Sequence, residues 1–253
     1  MEIIQIPVLK DNYIYLLHDD ASETTVAVDP AEALPVLKVL ESRGWTLSHI
    51  LNTHHHGDHV GGNRALKLAT GCRIFGWSKA PEWIPDINEQ VGEGDQIQLG
   101  HLRAEVIAVP GHTRHHLAFW FAEDRALFCG DTLFGMGCGR LLGGTAEQLW
   151  ASLGRLRQFP GETRVFCTHE YTQNNGRFAL TVDPENADLK ARMRVVDLAR
   201  AAGKFTVPFL LSEEWATNPF LRPESQVIRA QLGMEEATDL AVFTELRRRK
   251  DGF

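Results

Sequence analysis

The chain of 253 residues is long enough to bury a full hydrophobic core, as one large domain or as a main domain with a smaller appendage. Its 26 Lys plus Arg against 33 Asp plus Glu leave a formal charge of −7, which argues against nucleic acid or an anionic membrane as partner, so recognition of anions must be local. The N-terminus lacks a basic region followed by a sustained apolar one, and no stretch approaches the roughly 18 apolar residues of a membrane helix. The four cysteines, at 72, 129, 138 and 167, form no Cys-Xaa-Xaa-Cys pair. A cytoplasmic monomer with reduced thiols is the expectation.

Short strand signals at 3–6, 13–17 and 25–29 open the chain. A helix is predicted over 31–43, with Leu34, Leu37 and Leu40 on one face and Gly44 as its stop. An apolar strand signal follows over 48–53, and a helix over 59–70. Strands are predicted at 103–109, 117–121, 126–129 and 165–168, with a helix over 146–159 that buries Leu149, Leu153 and Leu156 and ends at Pro160-Gly161. Beyond about residue 173 the strand signals fade. Helices are expected over 184–202, 223–232 and 236–250, the first with a stripe of Leu189, Met193, Val196 and Leu198 closed by Gly203. The pattern is mixed α/β with strands enough for two sheets, followed by helices, and we place a boundary there. We expect one domain over residues 1–172 and a small helical domain over 173–253.

Thr53-His54-His55-His56-Gly57-Asp58-His59 concentrates four metal-binding side chains, His54, His56, Asp58 and His59, in six positions. In an extended chain His54 and His56 fall on one side and His55 on the other, so two imidazoles converge on one cation. Gly57 allows the bend that turns Asp58 and His59 toward a neighbouring point. Three further apolar runs each end in a potential ligand: His112 after Pro110-Gly111, Asp131 after Gly130, and His169 after Thr168. Five His and two Asp suit two cations if one carboxylate bridges, and Asp131 is the natural bridge. We expect His54, His56 and His112 on the first metal and Asp58, His59 and His169 on the second.

The spacing resembles the His-Xaa-His-Xaa-Asp-His signature of the metallo-β-lactamase superfamily. Asp11-Asn12-Tyr13, Gly137-Cys138-Gly139-Arg140, Gly144-Thr145, His169-Glu170-Tyr171-Thr172, Asn218-Pro219-Phe220 and Arg249-Lys250-Asp251 are similar to segments of glyoxalase II, the hydroxyacylglutathione hydrolases, from near the first residue to near the last. That resemblance implies a four-layer αββα sandwich with a small C-terminal helical domain, and hydrolysis of S-D-lactoylglutathione in methylglyoxal detoxification. It also places the glutathione moiety on Arg140, Tyr171, Arg247 and Lys250. Leu142 stands where many members carry an aromatic residue. Arg114-His115-His116 departs from the usual Gly before the last His, and His115, like His55, is read as structural or exposed rather than as a ligand.

Two divalent cations would generate a hydroxide nucleophile at neutral pH, bridging them beside Asp131, with no Ser or Cys nucleophile needed. Ligands of His and carboxylate accept zinc first, with iron or manganese possible. Thiolate is a leaving group that needs little protonation, which suits a site with no evident general acid. The alternatives are a persulfide dioxygenase with a single iron, a lactonase, or a non-catalytic metal-binding protein. No ligand is missing, which gives the last of these no support.

Overall fold

A computed structural model describes residues 1–79 and 81–253. The chain divides into two compact units, Met1–Ala108 with His115–Gly130, and Val109–Arg114 with Asp131–Phe253.

In the first unit one sheet takes its strands in chain order: β1 (Glu2–Val8), β2 (Asn12–Asp19), β3 (Thr24–Val28), β4 (Leu47–Leu51), β5 (Arg73–Trp77) and β6 (Glu89–Val91). The first three pair antiparallel through short turns, and β3 to β6 pair parallel. Parallel neighbours need crossovers: α1 (Ala33–Arg43) links β3 to β4, and α2 (Gly57–Val60) with α3 (Asn63–Thr70) links β4 to β5. A second, antiparallel sheet holds β7 (Gln96–Leu99), β8 (Leu102–Ala108), β9 (Leu117–Phe121) and β10 (Ala126–Gly130). Strand alternation explains why β2 is buried almost throughout. Its Ile14 and Leu16 join Val36, Leu40 and Leu66 of the helices in one apolar cluster, and the intervening Tyr15 meets Phe128 of the second sheet edge-on at 5.4 Å.

The second unit holds the hairpin β11 (Leu133–Phe134) and β12 (Gly137–Cys138), then α4 (Ala146–Leu156), β13 (Arg164–Cys167), α5 (Thr172–Val182) and α6 (Ala187–Ala201). β14 (Phe209–Leu210), α7 (Leu211–Thr217), α8 (Gln226–Leu232) and α9 (Asp239–Asp251) complete it, with β14 antiparallel to β13. A capping box of Thr145 and Gln148 starts α4, and Leu149, Leu153 and Leu156 are buried as the spacing predicts. Among the described residues, no helix is long and apolar enough to cross a membrane.

The compact division falls at 130/131, whereas composition changes near 173, because polar contacts tie the hairpin to the later helices. The Met136 amide donates to Glu214 Oε2 at 2.8 Å, Asn218 Nδ2 to the Gly137 carbonyl at 3.0 Å, and Arg247 Nη1 to the Cys138 carbonyl at 2.8 Å. Glu214 is fully buried, and desolvation raises its pKa although Arg192, 2.5 Å away, opposes the shift.

Three local expectations need correction. Helix α1 buries Val36 and Leu40, whereas Leu34 is 62% exposed. The helix expected over 59–70 breaks into α2 and α3 at Gly61-Gly62, where a Cβ would lie 2.6 Å from the Ala31 carbonyl oxygen and 2.7 Å from that of Pro30. In α6 Leu189, Met193 and Val196 are buried but Leu198 is 74% exposed, since two residues beyond Val196 is the far side of a helix. Helices α5 and α7 carry no clear apolar period and were not expected.

Candidate metal centre

Strands β3 and β4 are parallel neighbours, so the residues leaving their C-terminal ends lie side by side. The Asp29 amide donates to the Leu51 carbonyl at 3.0 Å, which brings the Asp29 carboxylate against Thr53. Asp29 is 1% exposed and accepts from the Thr53 amide at 2.8 Å, from Thr53 Oγ1 at 2.6 Å and from His59 Nδ1 at 3.0 Å. A carboxylate accepts only, so the His59 proton resides on Nδ1 and the lone pair on Nε2. The Thr53 hydroxyl, spending its proton on Asp29, accepts in turn from His54 Nδ1 at 3.1 Å, and His54 is likewise left with its lone pair on Nε2. Asp29 thus sets the tautomer of two imidazoles.

His54 Nε2 lies 3.0 Å from His56 Nδ1. Two nitrogens bound to one tetrahedral ion at about 2.0–2.1 Å stand roughly 3.3 Å apart, so this pair fits a shared cation. Asn12 Nδ2 donates to Asp58 Oδ2 at 3.0 Å, and His59 Nε2 is 3.7 Å from the same carboxylate oxygen. His116 stacks on His54 with ring centroids 4.5 Å apart, and its Nδ1 faces the Leu117 carbonyl at 3.0 Å. Gly130 has φ +49, and a Cβ there would sit 2.4 Å from Thr53 Oγ1 and 2.8 Å from His116 Cε1. Glycine at 130 therefore leaves room for Thr53 and His116.

In the second unit the loop after β12 wraps around the other expected ligands. His112 Nδ1 donates to the Arg140 carbonyl at 2.8 Å, and Leu142 N to the His112 carbonyl at 2.8 Å. A carbonyl cannot donate, so His112 too keeps its lone pair on Nε2. A Cβ on Gly139 would stand 2.0 Å from the Asp131 carbonyl oxygen and 3.0 Å from His112 Cβ, so only glycine lets the loop approach. The Asp131 carboxylate divides its oxygens: Oδ2 lies 3.4 Å from His112 Nε2 and Oδ1 lies 3.4 Å from His169 Nε2. His169 follows β13 and stacks flat on Tyr171, centroids 4.7 Å apart, with Phe134 edge-on to both rings. Glu170 anchors this turn by accepting from the Thr206 amide at 2.8 Å and from Arg200 at 3.3 Å.

The expected substrate cations differ in kind. Arg140 is exposed. Half-buried Lys250 donates to Asn174 Oδ1 and lies 5.7 and 5.0 Å from the Phe178 and Phe253 ring centroids. Burial, with the charges of Arg247 and Arg140, holds its ammonium down to about 8. Arg247 is only 4% exposed: its guanidinium donates to the Cys138 and Gly139 carbonyls, pairs with Asp251 at 2.9 Å and lies over Phe220. Its contacts support the loop that carries Arg140.

Sequence reasoning missed Asp29 altogether. The signal available was an Asp closing an apolar strand, Thr24–Val28, ahead of Pro30, the same strand-end placement that drew attention to Asp131.

The described residues thus offer His nitrogens with their lone pairs outward and carboxylates beside them, a donor set suited to divalent cations. A family model described as the metallo-beta-lactamase superfamily matches residues 14–169, and one described as the hydroxyacylglutathione hydrolase C-terminus matches residues 170–253. The hydroxyacylglutathione hydrolase of Methylococcus capsulatus is 58% identical over 100% of this chain and 99% of its own. The crystal structure of ETHE1 from Myxococcus xanthus superposes with a TM-score of 0.69 at 25% identity, covering 100% of both chains. TTHA1623, solved in a di-iron-bound form, gives 0.62 at 26% identity over 87% of this chain and 100% of that one. The strand and helix order, the His and Asp residues at the strand ends and these likenesses agree, and the chain belongs to the metallo-β-lactamase superfamily, within its hydroxyacylglutathione hydrolase branch.

Proposed function

We propose that the chain hydrolyses S-D-lactoylglutathione to D-lactate and glutathione, with two divalent cations, zinc first and iron or manganese as alternatives. His54, His56 and His112 hold one, Asp58, His59 and His169 the other, and Asp131 contributes to both. The observation that carries this reading is the Asp131 carboxylate, each oxygen of which faces a different imidazole. The tautomers set by Asp29, Thr53 and the Arg140 carbonyl support it. When bound, the cations polarise the thioester carbonyl and lower the pKa of water to ~7.

The residues then have separable tasks. Water adds to the carbonyl carbon, the C–S bond breaks, and the thiolate departs without a general acid. Arg140 and Lys250 attract the glutathione carboxylates, Tyr171 lies beside the reacting end on His169, and buried Arg247 serves recognition by holding the loop that carries Arg140. Residues 1–172 form the catalytic domain and 173–253 the helical substrate-binding domain in this reading. All ligands and cations come from one chain, so a monomer suffices, and the charge of −7 disfavours nucleic acid or membrane as partner. Four free, buried cysteines suit a reducing cytoplasm.

The test is elemental analysis of the purified protein combined with a thioester hydrolysis assay. A metal content of two per chain, hydrolysis lost on chelation and regained on adding metal are expected. Full activity at one metal per chain, or no thioester hydrolysis by the metal-loaded protein, would refute the reading.

A further inference from the structure

Four rings of the first unit gather beside the metal-binding turn, and none belongs to a proposed ligand: His55, Trp77, Trp83 and His115. The His55 and Trp83 centroids are 4.7 Å apart, those of Trp83 and His115 5.7 Å, and those of Trp77 and His115 5.8 Å. These separations lie in the range of favourable aromatic contact. The cluster is bound to the site through the chain itself. His55 sits between His54 and His56, its ring 5.0 Å from that of His56, and His115 directly precedes His116, which stacks on His54.

Two properties point to a ligand. Trp83 is 47% exposed, a large apolar surface left to water next to polar chemistry. Trp77, at the end of β5, is 6% exposed, and its indole N–H has no hydrogen-bond acceptor among the described residues, a state buried donors rarely keep.

We propose that this aromatic cluster is the acyl subsite and that it favours thioesters whose acyl group is aryl, with a 2-hydroxyl, over the small lactoyl group. The inference rests on the thioester hydrolase reading above. An acyl group is joined to the reacting carbonyl, so it must lie within a few bonds of the metal ligands, as His55 does. The glutathione half differs in chemistry: it calls for cations, which Arg140 and Lys250 provide. The methyl of a lactoyl group is too small to cover Trp83, whereas a phenyl ring at the same carbon can stack on it.

S-mandeloylglutathione and S-D-lactoylglutathione differ in carrying phenyl or methyl at one carbon, so the ratio of their kcat/KM values reads the subsite. Trp83→Ala should lower that ratio about tenfold, a usual size for losing one aromatic contact. Trp83→Phe should keep most of the ratio. An unchanged ratio in Trp83→Ala, or an equal fall for both substrates, overturns the proposal. Binding is read independently by quenching of tryptophan fluorescence in the metal-loaded protein with mandelate or lactate. Tighter binding of mandelate, lost in Trp83→Ala, is expected, and equal affinities overturn the subsite. Failure to hydrolyse either thioester would instead strike the function proposed above and leave this second measurement to judge the subsite.

Discussion

Asp29→Asn isolates the electrostatic device under the metal-binding turn. The amide is the same size as the carboxylate, so packing around this fully buried position is preserved. One oxygen can still accept from the Thr53 amide, now at 2.8 Å. The new NH2 group then stands where Oδ2 accepted from Thr53 Oγ1 and His59 Nδ1, at 2.6 and 3.0 Å. Two donors would face a third. His59 resolves the conflict by accepting at Nδ1, which moves its proton to Nε2 and removes the lone pair a cation needs. The Thr53 hydroxyl loses its acceptor, and an orphaned buried group of that kind costs about 1–3 kcal/mol. Loss of a partner that orients a metal ligand lowers affinity by roughly 10–100-fold. Competition with a chelator should show that fall in metal affinity, while nitrogen-15 NMR of the imidazoles reports the changed His59 tautomer. High metal concentration should restore much of the hydrolysis. An unchanged tautomer together with unchanged metal affinity would refute the argument.

Two further outcomes concern the cations of the second unit. Burial and the neighbouring Arg247 and Arg140 place the Lys250 ammonium at about 8, so its charge is present below that pH and lost above it. KM for a glutathione thioester should therefore climb as pH rises through about 8, and Lys250→Met should raise KM at lower pH and abolish the climb; the same pH profile in the variant would remove Lys250 from substrate binding. Arg247→Ala strips donors from the Cys138 and Gly139 carbonyls and the guanidinium from Phe220, and should destabilise the fold by about 2–4 kcal/mol in urea unfolding. An unchanged unfolding midpoint with a raised KM would show that Arg247 acts on substrate directly instead.

Much of the chemistry was legible in the chain because it is local. Two-residue alternation puts His54 and His56 on one side, and Asp58 and His59 follow within the same turn, so the segment presents its candidate ligands without reference to any other part. Apolar runs ending in His112, Asp131 and His169 could be read in the same way. Helix α4 announces itself through Thr145, Gln148 and three leucines in period. Where the period was ambiguous, as at Leu34 and Leu198, propensity alone chose a face that packing did not use.

Other features depended on distance in sequence. Asp29 meets Thr53 and His59 only because β3 and β4 are parallel neighbours, and Asn12 reaches Asp58 across 46 positions. Glu214, Asn218 and Arg247 grip the hairpin at 133–138 from segments about 80 to 110 residues later, so composition could not reveal that residues 131–172 pack with the helices. Side-chain types and short spacings are properties of the chain itself and determined which groups can bind a cation. Tautomers, the burial of Arg247 and the meeting of His55 with Trp83 follow from backbone hydrogen bonding between distant strands and from the closing of long loops, and only the tertiary structure decided them.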